Sequence, residues 1–433
     1  MLFSKLEKVW EGIDTPFLNR SGLDSLSFNQ LKEIHTEGIE NINQGDVVAL
    51  IGDFEAESIA TLLYLLEKGA IVVPLTNDTK EQHSYFLEQS FCQHIFERNK
   101  FSSSICQSQK KHPLLNKLRA KGHPGLILFT TGSTGRPKAI LHDFLQFIER
   151  YRTPRPSLKA LSFLLFDHIG GLNTLFHILF NQGQVVSLKE RTVESVIRLM
   201  NKYSIELLPT TPTFLRLLLL YPELKKNIPP SLKIISYGTE RMDQITLTSL
   251  CNCLPDVDFR QTYGMSELGI LRVKSQGRDS ISMKIGGEGV ETKVVKKILY
   301  IKSKNRMMGY LNADNPFDKK GWYCTKDLVE EKNNGFIIII GRDSDVINVG
   351  GLKFMPSEVE RVCLEFPGIK HVKAFGKSNP FTGQHVEVLI ELNDSRLEIK
   401  ELMNYLRNNL PSHMQPLRIT KKELKISHRF KKL

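Results

Sequence analysis

The stretch GLILFTTGSTGRPK, residues 125–138, joins a short apolar run to a loop of glycine, serine and threonine. An apolar run bounded by turn residues is typical of a buried strand. A cluster of glycines and hydroxyl residues is most often a surface loop, but its amides and hydroxyls also suit a triphosphate. It is not a Walker A loop, because Arg136 and Pro137 separate Gly135 from Lys138. The stretch alone leaves both interpretations open.

Strand-like and helix-like runs alternate on both sides of this stretch. VVALIGD at 47–53 precedes a helical pattern at 57–69, and the alternation continues past LKIISYG at 232–238. We also expect a helix near HDFLQFIER, residues 142–150. Short apolar strands alternating with amphipathic helices predict parallel α/β sheets that helices cover on both faces.

The pattern changes twice in the second half of the chain. Gly-punctuated strands dominate after about residue 280 and indicate an antiparallel, barrel-like subdomain. After GRDSD the order is helix, strand, strand, helix and strand, which predicts a compact α+β unit. We therefore predict an α/β protein. Its large N-terminal domain, 1–342, has two parallel-rich sheet subdomains and the barrel-like subdomain; a small C-terminal α+β domain, 345–433, follows a boundary near Ser344.

Composition limits the class of protein. Of 433 residues, 41% are hydrophobic and 24% charged, as in ordinary soluble globular proteins. No apolar run reaches the ~18 residues of a membrane span, and MLFSKLEKVWEGID has no signal-peptide core. We expect a cytoplasmic protein whose six scattered cysteines are reduced. The net charge of +12 is dense only in the tail at 421–433; such tails are most often solvated, so nucleic-acid binding is not favoured.

Three further stretches carry chemistry. In QTYGMSELG, Tyr263 can stack on a flat ring, while Ser266 and Glu267 offer a hydroxyl and a carboxylate for phosphate and Mg²⁺. In GWYCTKDL, Asp327 follows a strand, where a carboxylate can accept both hydroxyls of a ribose. In GRDSDVINVGG, Arg342 precedes two acids. Each stretch alone is most simply a turn.

Together and in this order, the four stretches resemble the ANL superfamily of adenylate-forming enzymes, which includes acyl-CoA synthetases and the adenylation domains of peptide synthetases. FDHIGG, SYGTERM and MMGYLN extend the resemblance over nearly the whole chain. It implies a two-step reaction. A small-molecule carboxylic acid attacks the α-phosphate of ATP, and a thiol of coenzyme A or of a carrier-protein phosphopantetheine then displaces AMP. The acid, the acceptor and the oligomeric state stay open.

The resemblance also implies a role for each matching residue. Catalysis would fall to Lys138, His168 and Glu267, with Glu267 holding Mg²⁺, and to a cation near the C-terminus. The loop 130–138 would hold phosphates, Tyr263 would stack on adenine, and Ser266 would touch the α-phosphate. The implied nucleotide-binding residues are Thr130, Thr131, Gly132, Ser133, Thr134, Gly135, Lys138, Gly238, Thr239, Glu240, Tyr263, Gly264, Ser266, Asp327 and Arg342.

The chain departs from the family pattern at three other positions. Lys326 replaces the second glycine of GWxxTGD, and Ser344 stands at the hinge, where family members rotate the small domain. The C-terminal catalytic lysine is replaced by Arg429 in the best match, although Lys425 or Lys431 is an alternative in a shifted alignment. Arginine keeps the cation but is not interchangeable with lysine. The turn at residues 350–351, Gly350 and Gly351, would approach the pantetheine tunnel.

Two alternatives concern the substrate and the activity. Asp167 could grip the ammonium group of an amino acid, which would make the chain an amino-acid-adenylating ligase. However, His168 followed by Ile-Gly-Gly matches the acyl-CoA synthetase form, and this favours a non-amino acid. The departures at Lys326 and Arg429 also allow a catalytically weak nucleotide-binding relative that acts as a sensor or assembly partner.

Overall fold

The secondary structure is that of an α/β protein built on four sheets. A computed structural model describes residues 2–20, 24–97, 99–103, 112–130, 136–392 and 398–422. The helices are α1 (Leu2–Trp10), α2 (Phe28–Lys32), α3 (Ala56–Glu67), α4 (His83–Gln89), α5 (Pro113–Ala120), α6 (Phe144–Ile148), α7 (Ile169–Phe180), α8 (Val193–Tyr203), α9 (Pro212–Leu219), α10 (Leu224–Asn227), α11 (Gln244–Cys253), α12 (Pro356–Glu365) and α13 (Ile399–Asn409).

The strands are mostly short, as expected for the buried strands of an α/β protein. They are β1 (Pro16–Asn19), β2 (Leu26–Ser27), β3 (Val47–Ile51), β4 (Ile71–Leu75), β5 (His94–Glu97), β6 (Lys100–Ser103), β7 (Gly125–Thr130), β8 (Lys138–Asp143), β9 (Lys159–Leu161), β10 (Gln184–Val186), β11 (Leu207–Thr210), β12 (Ile234–Tyr237), β13 (Asp258–Gln261), β14 (Tyr263–Met265), β15 (Gly269–Ser275), β16 (Met283–Gly286), β17 (Val290–Val295), β18 (Ile298–Ser303), β19 (Gly309–Tyr310), β20 (Tyr323–Glu331), β21 (Ile337–Arg342), β22 (Ile347–Val349), β23 (Leu352–Phe354), β24 (Ile369–Asn379), β25 (Gly383–Leu392) and β26 (Arg418–Lys421).

The first two sheets are rich in parallel pairs. One has the order β13-β12-β11-β9-β10-β1-β2, and every pair except β1 with β2 is parallel. The other has the order β19-β8-β7-β4-β3-β5-β6, with parallel pairs around β3 and β4. Buried side chains of α1, α3 and α7 pack in one core with side chains of both sheets. The Trp10 indole donates to the Leu179 carbonyl at 2.8 Å and ties α1 to α7.

The other two sheets follow in the second half of the chain. The order β14-β15-β16-β21-β20-β18-β17 is antiparallel throughout and corresponds to the predicted Gly-punctuated strands. In the last sheet, β23-β22-β25-β24 are antiparallel, β26 pairs in parallel with β25, and α12 and α13 share its core. The predicted fold class is confirmed, while the domain boundary near residue 344 stays a prediction.

The expected helix near residues 142–150 is only partly correct. Residues 138–143 form β8, antiparallel to β7, and α6 begins at Phe144. The helix starts there because the Asp143 carboxylate accepts from the amides of Leu145, at 3.2 Å, and Gln146, at 3.4 Å. The glycine-rich loop therefore connects two strands of one hairpin, and no helix N-terminus follows it. Within the described parts of the chain, no helix has the length and apolarity needed to cross a bilayer.

Candidate functional site

The candidate site lies where three sheets meet. The strands β9, β11, β12 and β13 are parallel, so their carboxyl ends meet at one edge, and the segments after them line a cavity of about 490 Å³. The ends of β7 and β8 line a second wall, and β20 and β21 line a third. The predicted site residues that line this cavity are Thr130, Lys138, His168, Gly238, Thr239, Gly264, Ser266, Glu267 and Arg342.

The glycine-rich loop is anchored at both ends. Thr130 and Lys138 are register partners across β7 and β8. After the loop, the Asn312 amide group accepts from the Ala139 N–H at 2.9 Å and donates to the Pro137 carbonyl at 3.1 Å. These bonds place the Lys138 end of the loop on the cavity wall. The predicted phosphate-binding residues Thr131, Gly132, Ser133, Thr134 and Gly135 lie outside the described residues.

Lys138 and Glu267 share a contact with Tyr310. The Lys138 ammonium group lies 4.9 Å from the centre of the Tyr310 ring, and the Tyr310 hydroxyl donates to Glu267 Oε1 at 2.7 Å. Burial, followed by the charge of Glu267, raises the pKa of the Tyr310 hydroxyl well above its ordinary range, so it stays a donor. The tyrosine therefore orients the carboxylate beside the lysine.

The Glu267 carboxylate fits a magnesium site of the kind that substrate phosphates complete. Magnesium is usually held by one or two carboxylates together with water and phosphate oxygens. The described residues contain no cluster of three or more His, Cys, Asp or Glu side chains that could hold a metal by themselves. The single Glu267 carboxylate on the cavity wall agrees with a magnesium site that protein and substrate phosphates form together.

A second, smaller cavity of about 250 Å³ adjoins the first and shares Thr239, Gly264 and Arg342 with it. Tyr263 and Asp327 line it, and the Tyr263 hydroxyl donates to Asp327 Oδ2 at 2.5 Å. Arg342 Nε lies 3.3 Å from Asp327 Oδ1. Burial raises the pKa of Asp327, while the bonds from Tyr263 and Arg342 act in the opposite direction. The predicted adenine and ribose residues thus lie together.

Gly238, Thr239 and Glu240 follow β12, but Gly238 and Glu240 lie in different cavities. A side chain at Gly238 would approach Thr262 Oγ1 to 2.2 Å, so glycine is required for the close contact of neighbouring strand ends. Gly238 and Thr239 line the larger cavity. The Glu240 carboxylate accepts from the Thr213 hydroxyl at 2.6 Å and lies in the smaller cavity and in the cleft beside it.

His168 and Asp167 are adjacent in sequence but face different surroundings. His168 is the N-cap of α7, where Nδ1 accepts from the Gly170 N–H at 3.1 Å, and its side chain borders the cavity. Asp167 is buried, and the Thr76 hydroxyl donates to it at 3.4 Å. Among the described residues, those that line the two cavities do not include Asp167.

The partly buried guanidinium group of Arg150 and the buried imidazole of His142 lie beside the Ser266 turn, and sequence reasoning did not single them out. The guanidinium group of Arg150 donates to the Ile270 carbonyl at 3.2 Å and lies 4.9 Å from the Phe147 ring centre. His142 hydrogen-bonds to the backbone of Ser266, and burial lowers the pKa of His142 to about 4. The sequence signal for these two residues was a polar side chain within or beside an apolar run, as in KAILHDFLQFIER.

Three predicted features are not brought to the cavity or cannot be placed. Gly350 and Gly351 have φ of +59° and +89° and form the exposed turn between β22 and β23, away from the cavity lining. Ser344 is exposed and lies in the cleft between the last sheet and the rest of the chain. Arg429, the predicted C-terminal cation, lies outside the described residues.

Lys326, which departs from the family motif, directly precedes Asp327 in β20. Lys326 takes a left-handed φ of +61°, and its side chain lines the larger cavity. Asp327 remains the register partner of Arg342 on the neighbouring strand. The ribose-side pair that the resemblance implies is therefore present.

The family to which these features point is confirmed by sequence comparison. A model described as "AMP-binding enzyme" matches residues 37–311. The chain belongs to this family, and the resemblance to the adenylate-forming superfamily is confirmed.

Curated relatives are distant and of different lengths. Surfactin synthase subunit 2 of Bacillus subtilis (strain 168) is 22% identical over 459 aligned positions, which cover 92% of this chain and 13% of that protein. The 2-succinylbenzoate–CoA ligase of Listeria monocytogenes serotype 4b (strain F2365) is 23% identical over 409 positions, covering 88% of this chain and 85% of the ligase. The chain thus spans only a small part of the first of these relatives.

A solved structure shares the fold. The crystal structure of the anthranilate CoA ligase AuaEII in complex with anthranoyl-AMP superimposes with a TM-score of 0.81 at 16% identity. The superposition covers 100% of this chain and 95% of that one. At this identity the likeness establishes the fold.

Proposed function

We propose that the chain activates a carboxylic acid with ATP and passes the acyl group to a thiol, releasing pyrophosphate and AMP. One observation carries the proposal: a single cavity gathers Lys138 from one sheet and Ser266, Glu267 and Arg342 from another, in a chain of the AMP-binding family. The chemistry of these groups suits a polyphosphate, a divalent cation and a ribose.

In the first half-reaction, a carboxylate oxygen bonds to the α-phosphorus and the bond to pyrophosphate breaks. Negative charge builds on the α-phosphoryl oxygens, so donors already aimed at them lower the barrier. Ser266 would donate to this group, and Lys138 would supply a cation for the departing phosphates; both residues line the cavity. Mg²⁺ held by Glu267 would neutralise phosphate charge when bound. Asp327 and Arg342 would hold the ribose.

In the second half-reaction, a thiolate sulfur bonds to the acyl carbon and the bond to AMP breaks. The acceptor in this proposal is coenzyme A or the phosphopantetheine of an acyl carrier protein. Gly350 and Gly351 lie outside the cavity lining, so rotation of residues 345–433 about Ser344 would have to bring them to it.

The acid in this proposal lacks an amino group. An amino-acid substrate requires a carboxylate that faces the acyl end of the cavity. Asp167 is directed to buried Thr76 instead, and His168 takes the position on the cavity wall. Among the described residues that line the cavity, Glu267 is the only one with an acidic side chain. Tyr310 orients the Glu267 carboxylate, so we do not assign it to a substrate ammonium group.

The test follows pyrophosphate release by the purified chain with ATP, Mg²⁺ and a mixed pool of acids. We expect release with at least one acid, a matching acyl-AMP mass and trapping of the adenylate by hydroxylamine. Lys138→Ala is expected to slow release. The matched control is Lys202→Ala, because Lys202 also lies over a tyrosine, Tyr203, at 5.1 Å but is not among the residues that line the cavity.

The alternative is a nucleotide-binding relative without catalysis, which the departures at Lys326 and Arg429 motivate. ATP binding with no adenylate from any acid in the pool would establish that alternative and refute the ligase.

A further inference from the structure

Lys326 lies in a bulge of β20. Ile298 pairs with Leu328 and Tyr300 pairs with Cys324, so the single residue Leu299 of β18 faces three residues of β20. The Thr325 hydroxyl closes the bulge by donating to the Leu299 carbonyl at 2.8 Å. Bulges of this kind re-aim side chains and are frequent beside active sites.

The backbone at this position favours glycine. Lys326 has φ of +61°, where the Cβ of an L-residue is crowded, and the related motif in the superfamily carries glycine at this place. Strain that persists in a structure is a reason to ask what the side chain does. A left-handed backbone does not by itself indicate a functional side chain, because Lys297 also has φ of +64° and lies in the exposed turn between β17 and β18.

What distinguishes Lys326 is where its side chain lies. It lines the larger cavity with Lys138, Glu267 and Arg342, whereas Lys297 does not. Within the described part of the chain, Arg342 has a carboxylate partner and Lys138 lies over an aromatic ring, but no hydrogen bond or ion pair joins the Lys326 ammonium group to another residue. An exposed cation without a protein partner, on the wall of an anion-binding cavity, is available to a ligand.

We propose that Lys326 binds the polyphosphate of the nucleotide and is a second cation of the adenylation site. This inference rests on the proposed function, because it needs a nucleotide in the cavity. A flexible lysine at a bulge next to Asp327 can reach from the ribose side towards the phosphates and supply positive charge opposite Lys138.

The experiment uses the full chain and compares Lys326→Gly with Lys297→Gly by calorimetric titration with ATP and with adenosine. Both substitutions relieve a left-handed backbone, so both variants are expected to keep or slightly raise Tm. Only Lys326→Gly is expected to weaken ATP binding, by about tenfold for the loss of one charge-assisted contact. Adenosine affinity should not change, and Lys326→Arg should retain most of the ATP affinity.

Wild-type ATP affinity in Lys326→Gly would overturn the inference. An equal loss of adenosine and ATP affinity would also overturn it, because the residue would then act through the shape of the site. The proposed function fails separately, if the wild-type chain binds ATP but releases no pyrophosphate with any acid. In that case the Lys326 comparison still stands, since the titration contains no acid.

Discussion

The hydrogen bond between Tyr310 and Glu267 offers a direct test of the magnesium site. Tyr310→Phe removes one hydroxyl that lies 2.7 Å from the Glu267 carboxylate, while the ring beneath the Lys138 ammonium group stays. The substitution therefore separates the orientation of the carboxylate from the contact with the lysine. Tyr310 is 6% exposed, so water does not readily replace the lost donor.

The size of the effect follows from the bond. A hydrogen bond to a charged group contributes about 1.5–3 kcal/mol, which corresponds to roughly 10–100-fold in an equilibrium constant. Tyr323 also hydrogen-bonds to Glu267 and would hold part of the orientation of this carboxylate after the substitution. The lower end of the energy range therefore applies. We expect the Mg²⁺ concentration for half-maximal pyrophosphate release to rise about tenfold. The assay is a Mg²⁺ titration at saturating ATP and acid.

Tyr203→Phe is the matched control, because the Tyr203 hydroxyl donates to the Arg20 carbonyl at 3.1 Å, outside the cavity lining. It should leave the Mg²⁺ dependence unchanged. An unchanged Mg²⁺ dependence in a folded Tyr310→Phe variant would refute the assignment of Glu267 as the metal ligand that Tyr310 orients.

Three further predictions address stability, ribose binding and the loop anchor. Burial lowers the pKa of His142 from 6.5 to about 4. Between these values the unfolded chain binds the proton more tightly, so stability decreases as the pH is lowered, by up to about 3 kcal/mol. His142→Gln should flatten this decrease in urea unfolding midpoints measured from pH 7 to pH 4.5, and an identical slope would contradict the reasoning. Asp327→Asn should raise KM for ATP about tenfold, from the loss of charged acceptor oxygens, but leave KM for 2′,3′-dideoxy-ATP nearly unchanged; equal losses would argue against ribose binding. Asn312→Ala frees the Pro137 carbonyl and the Ala139 N–H, so KM for ATP should rise and Tm should fall, and an unaltered KM would show that the loop does not need this anchor.

The alternation of strands and helices was readable from sequence because it depends on local periodicity. VVALI, IVVPL and GLILF form β3, β4 and β7, and the helical pattern at 57–69 corresponds to α3. The strand β8 was missed, because KAILHD carries a lysine, a histidine and an aspartate in six residues. Its partners are β7 and the distant strand β19, and periodicity does not reveal such pairing.

The site was partly readable for a different reason. Lys138, Glu267, Asp327 and Arg342 stand in motifs whose order points to one superfamily, and the structure places all four around adjoining cavities. The role of Tyr310 was not readable, because a tyrosine in MMGYLN is by pattern an ordinary buried residue. Its contacts with Lys138 and Glu267 depend on how the sheets meet.

By itself, the sequence determined the α/β class, the order of the motifs and the family, because these depend on residue type and spacing along the chain. Only the tertiary structure decided which side chains face the cavity. It turned Asp167 to Thr76 and placed Lys326 on the wall through a bulge. The physical reason is that strand register and the approach of separate sheets join residues far apart in the chain, such as Ala139 and Asn312, and no local pattern encodes those distances.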